Sequence, residues 1–73
     1  MARLPVLSGQ DLVSVLTKSG FRVVRQKGSH VSLQKGAFKT VVPLHPELAR
    51  GTLLAILKQT GLTRDDLMAL LEE

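Results

Sequence analysis

Apolar and polar positions along this chain recur with two periods. From Ser8 to about Ser19 the period is helical: Leu12, Val13, Val15 and Leu16 form one stripe, with Asp11, Ser14 and Lys18 opposite. Ser8 is a predicted N-cap, with Asp11 three residues on as its capping-box partner and as a favourable charge at the helix start. Gly20 takes the C′ position, so the spacing predicts a helix over residues 8–19. Beyond Gly20 the period shortens to two. Phe21–Gln26 is β-branched and basic, Lys27-Gly28-Ser29 reads as a turn, and His30–Gln34 alternates with Val31 and Leu33 on one face. Lys35-Gly36-Ala37 is a second turn, and Phe38–Val42 a third strand ended by Pro43. Helical spacing returns from Arg50 to Thr60, with Leu53, Leu54, Ile56 and Leu57 inward, and stops at Gly61. Thr63 caps a last helix with Asp65 and Asp66 in its first turn and a stripe of Leu67, Met68, Leu70 and Leu71.

This α-β-β-β-α-α order predicts an α+β fold, a three-stranded antiparallel meander with amphipathic helices on one face. The other face is left to water. Alternation on the second strand then turns His30 toward solvent. The 73 residues allow one small domain spanning 1–73, with no internal repeat.

Composition narrows the chemistry. With no Cys there is neither a disulfide nor a thiolate zinc site, and two histidines alone argue against a structural metal. A core of aliphatics is expected, since aromatics are 3% of the chain against 44% hydrophobic residues; Phe21 and Phe38 are both assigned to it. No run approaches the roughly 20 apolar residues of a membrane span, and the N-terminus lacks a signal-peptide h-region, so a soluble cytoplasmic protein is expected.

Charge is unevenly placed. Residues 1–60 hold nine basic and two acidic residues, residues 61–73 one basic and four acidic, and Lys18 to Lys39 contains six basic residues and no acid. Such a surface suits a phosphate backbone or an acidic protein, and it also fits a merely solvated face. No P-loop, dinucleotide motif or metal-ligand spacing is present, and Asp65-Asp66 is explained as a helix start. His30 remains. An imidazole transfers protons near neutrality, and Arg25, Lys27 and Lys35 could hold a phosphate beside it. RNA brings its own nucleophile, the 2′-hydroxyl, so one histidine in a cationic setting is close to a minimum kit for cleaving it without metal or cofactor. A surface histidine without a role is the alternative. His45, held between Pro43 and Pro46, could partner His30 or merely shape its loop.

The run Phe21-Arg22-Val23-Val24-Arg25-Gln26-Lys27-Gly28-Ser29-His30-Val31 resembles the signature of the HicA-type toxin family. So do Val42-Pro43-Leu44-His45-Pro46, the stretch from Gly51 to Leu62, the opening Leu7-Ser8-Gly9, and Gly20-Phe21. The resemblance implies a fold similar to a double-stranded-RNA-binding domain. It also implies an mRNA interferase of a toxin–antitoxin pair, blocked by a HicB-type antitoxin. The family's catalytic histidine maps onto His30, with Gly28 and Ser29 completing the motif. Many members carry a second histidine next, where this chain has Val31. His45 matches a frequent family histidine whose role stays open.

Three functions follow as expectations. The first is a metal-independent endoribonuclease with His30 catalytic and Arg25, Lys27, Gly28, Ser29 and Lys35 contacting RNA. The second is an RNA-binding module of similar fold that does not cut. The third is an interaction protein whose basic face serves an acidic partner.

Overall fold

The computed structural model describes residues 4–72. Its elements are α1 (Gly9–Lys18), β1 (Arg22–Lys27), β2 (His30–Lys35), β3 (Phe38–Pro43), α2 (Arg50–Thr60) and α3 (Arg64–Leu71), the expected α+β order. The strands form an antiparallel sheet in the order β1-β2-β3. Lys27 and Lys35, read from sequence as turn residues, instead close the two ladders, opposite His30 and Phe38 respectively. Each connection is thereby a two-residue loop, Gly28-Ser29 and Gly36-Ala37. Both glycines have φ +58, and among the described residues no non-glycine has positive φ, the pattern of a type II′ turn whose twist matches that of the flanking strands.

One apolar cluster underlies the sheet. It joins Leu12, Val15 and Leu16 of α1 to Val31 and Leu33 of β2, Val42 of β3, Leu53, Ile56 and Leu57 of α2, and Leu67 of α3. Each such side chain removed from water contributes about 1.5–3 kcal/mol before the entropy of ordering the chain is subtracted. α2 packs along β3, α1 crosses to β1 and β3, and α3 rests on α1. No helix among the described residues is long and apolar enough to cross a membrane.

Two packing expectations need correction. Phe38 shares the helix-side face with Thr40 and Val42, yet it is 49% exposed. It stands at the end of the sheet where α2 stops, and its ring leans on Gly61 with nothing beyond to cover it. Leu54 and Met68 are half-buried and lie outside the core cluster, so the inward stripes of α2 and α3 are narrower than their apolar spacing suggests.

Side-chain caps hold the starts of α1 and α3, whereas α2 begins behind Ala49 without one. Ser8 Oγ accepts the Asp11 N–H at 3.0 Å. At α3 the box is reciprocal: Thr63 Oγ1 accepts the Asp66 N–H, and the Asp66 carboxylate accepts the Thr63 N–H. Gly9 makes a close join between α1 and the end of β3. A Cβ there would collide with the Pro43 carbonyl oxygen and come within 2.8 Å of the Leu44 Cα. Absence of a side chain lets α1 press its first turn against the end of β3. The Gly9 N–H donates to the His45 carbonyl at 2.9 Å, and the Leu48 N–H to the Leu7 carbonyl at 2.7 Å.

Candidate active site on the open face of the sheet

The alternation of β2 divides the sheet. Val31 and Leu33 are buried against the helices, whereas His30 is exposed and Ser32 and Gln34 are half-buried on the far side. Residues directly opposed in an antiparallel pair share a face. The register therefore arranges the open face in three rows: Lys27–His30–Pro43, Arg25–Ser32–Val41 and Arg22–Gln34–Lys39. Between Val23 and Arg25 the pairing slips by one residue, a β-bulge at Val24. Val24 lines the same shallow depression as Ser32 and Val41, so the bulge brings its side chain to the open face as well.

His30 opens β2 directly after the turn. Gly28 has φ +58, but a Cβ at this position would meet only open space, so the turn needs the glycine's backbone freedom and not its small size. The Ser29 carbonyl accepts the Leu44 N–H at 2.6 Å, which ties the turn to the end of β3. Lys27 faces His30 across the ladder, at a Cα separation of about 5.5 Å for a pair closing such a turn. Arg25 is two residues further along the same face, about 7 Å along the strand. Among the described residues no side chain hydrogen-bonds the His30 imidazole, so both ring nitrogens are open to a ligand.

Lys35 does not join this group. It alternates with Val31 and Leu33 and so leaves the sheet on the helix side. Its Nζ donates to the Ser19 carbonyl at 2.6 Å, lies 6.0 Å from the centre of the Phe21 ring, and runs its stem past Gly20. A cation there complements the C-terminal end of α1. Arg22 and Lys39, which sequence reasoning does not single out, take its place on the open face. The signal is available: both fall on the same side as Gln34 once the strands are paired.

His45 comes to the same end of the sheet as His30. Pro43 is the register partner of His30, and Leu44 turns inward to pack on the core cluster. His45 is next in the chain, exposed, with its carbonyl fixed by the Gly9 N–H. The described residues contain no group of three or more His, Cys, Asp or Glu placed to hold a metal ion.

This arrangement offers a proton-transfer group flanked by two cations on an open, acid-free surface. It can bind a phosphodiester and move a proton at one of its oxygens. A family model described as the HicA toxin of bacterial toxin–antitoxin systems matches residues 9–62, from the first residue of α1 to the residue before the α3 cap. No curated protein matches the chain.

Proposed function

The chain belongs to the HicA toxin family of bacterial toxin–antitoxin systems, and we propose that it is a metal-independent endoribonuclease that cleaves mRNA in the cytoplasm, with His30 as its catalytic acid or base. The observation that carries this reading is the row Lys27–His30 on the exposed face, with Arg25 beside it. The 2′-oxygen of a ribose attacks the adjacent phosphorus and loses its proton. The bond from phosphorus to the 5′-oxygen breaks, and that oxygen gains a proton. The products are a 2′,3′-cyclic phosphate and a 5′-hydroxyl, with no redox change. His30 carries a proton to or from these oxygens, and the Lys27 and Arg25 cations stabilise charge building on the phosphoryl group. Ser29 and Gly28 set the start of β2 and thereby the position of the imidazole.

An antitoxin of the HicB type would inhibit by covering this face with acidic groups. Its complex should weaken as salt rises, because exposed charge pairs are screened beyond about 8–10 Å at ordinary ionic strength. Lys35, committed to α1, is left out of both contacts.

Cleavage of RNA by purified protein in EDTA, wild type beside His30→Ala, tests the reading, with circular dichroism to check both folds. Loss of the imidazole should lower the rate by about 10²–10⁴-fold without unfolding the sheet. Equal cleavage by the two proteins would remove His30 from the mechanism. Binding of RNA by both without cleavage by either would favour the non-cutting RNA-binding module.

A further inference from the structure

The open face carries more than a phosphate site. One row along β2 from His30, the surface sinks into a shallow groove of about 510 Å³ lined on this face by Val24, Ser32, Gln34, Lys39 and Val41, with the helix-side residues Leu33, Thr40 and Gln59 also bordering it. We propose that this groove is a nucleobase subsite that selects the nucleotide next to the cleaved bond. This rests on the endoribonuclease reading and extends it from where RNA is cut to which base is read.

Three observations converge on it. First, its flanks are apolar and unpartnered: Val24 is 50% and Val41 48% exposed. The bulge is what supplies the first of them, since Val24 has no register partner on β2. Two aliphatic side chains on a wet, basic sheet face gain when a flat, weakly polar ring covers them. Second, the groove offers a polar group already oriented by an internal bond. Gln34 donates its Nε2 to the Gly36 carbonyl at 3.1 Å, which leaves Oε1 as a free acceptor. A fixed acceptor can discriminate between base edges, because the amide cannot flip without losing its internal bond. Third, the placement suits one strand of RNA. Ser32, at the groove, lies two residues from His30, about 6.6 Å along β2. Arg22, Arg25 and Lys39 border the groove with no acidic residue between Lys18 and Lys39, which complements a polyanion.

The test uses binding, so that it stands apart from cleavage. His30→Ala protein, which keeps the RNA intact, is titrated by fluorescence anisotropy with ten-nucleotide single strands of each base and with one carrying a single abasic residue. The expected result is a preference for one base of about 2- to 10-fold, the range of a neutral hydrogen bond, and weaker binding of the abasic strand. Gln34→Leu should flatten the preference, and Val24→Ser, on an exposed bulge with little effect on folding, should weaken all bases while sparing the abasic strand. Equal affinity for every strand, abasic included, would overturn the proposal. So would failure of all strands to bind, which would leave the face to a protein partner. Base-selective binding by His30→Ala, with no cleavage by the wild type in EDTA, would sink the nuclease reading alone and keep the subsite.

Discussion

The two turns at either end of β2 have the same backbone and different chemistry. Each is a two-residue loop led by a glycine at φ +58, and each is entered by a lysine. Lys27 closes the first ladder opposite His30 and stands on the open face. Lys35 closes the second opposite Phe38 and bends under the sheet to the end of α1, where its Nζ bonds the Ser19 carbonyl. The difference lies in strand parity alone. Lys35 lies five positions after His30, an odd offset, so side chains at the two ends of β2 must leave on opposite faces. One turn therefore presents a cation to ligands, and the other commits its cation to the fold.

The largest test of this contrast acts on what holds the first turn in place. The end of β3 reaches Ser29 through Leu44, and α1 reaches the same segment through Gly9. Gly9→Ala forces a methyl group against the Pro43 carbonyl and the Leu44 backbone, neither of which is a flexible side-chain end. It should cost about 1–3 kcal/mol, read as a lower midpoint in urea, and RNA cleavage should fall beyond what the unfolded fraction explains. A fully stable Gly9→Ala protein would show that α1 does not press on this loop in solution. Gly36→Ala, at the other turn, has open space around it and perturbs only the turn conformation.

A paired substitution of the lysines comes next in size. Lys27→Ala should weaken RNA binding several-fold and reduce the slope of log affinity against log salt by about 0.7, the contribution of one phosphate contact on a single strand. Lys35→Ala should leave that slope unchanged and lower stability by about 0.3–1 kcal/mol, the scale of a cation at a helix C-terminus. If Lys35→Ala moved the salt slope as much as Lys27→Ala, the two turns would not differ in function.

Much of this is legible in the chain, and the misses share a cause. The order of elements, the caps at Ser8 and Thr63, and the exposure of His30 follow from local periodicity and capping chemistry. Charge alone groups Lys35 with the RNA contacts, because it lies in the same acid-free stretch as Lys27. Continuing the alternation of Val31 and Leu33 by one step turns it to the helix side instead. The bulge at Val24 and the close approach at Gly9 have no such signal. One depends on how β1 pairs with β2, and the other on where β3 ends relative to α1, and both are decided by contacts between segments distant in sequence. Phe38 departs from expectation for a related reason: it lies on the expected face, but the length of α2 decides whether that face is covered.

The smallest effect concerns a cap that mirrors that of Lys35. There a cation closes the C-terminal end of α1; at α3 an anion closes the N-terminal end, through the Thr63–Asp66 box. The hydrogen bond from the Thr63 backbone N–H, and after it the bond to the Thr63 side chain, hold the Asp66 carboxyl below its ordinary value of 3.8. A carboxyl with a depressed folded value stabilises the protein above its unfolded value and stops doing so as pH falls through the folded one. Acid should therefore loosen α3 from α1. Melting temperatures followed from pH 6 to pH 2 should fall further for the wild type than for Asp66→Asn, which has no charge to lose at that position. Parallel curves for the two proteins would mean that the Asp66 charge contributes nothing to stability, and that the neutral part of the box and the packing of Leu67 hold α3 on the core.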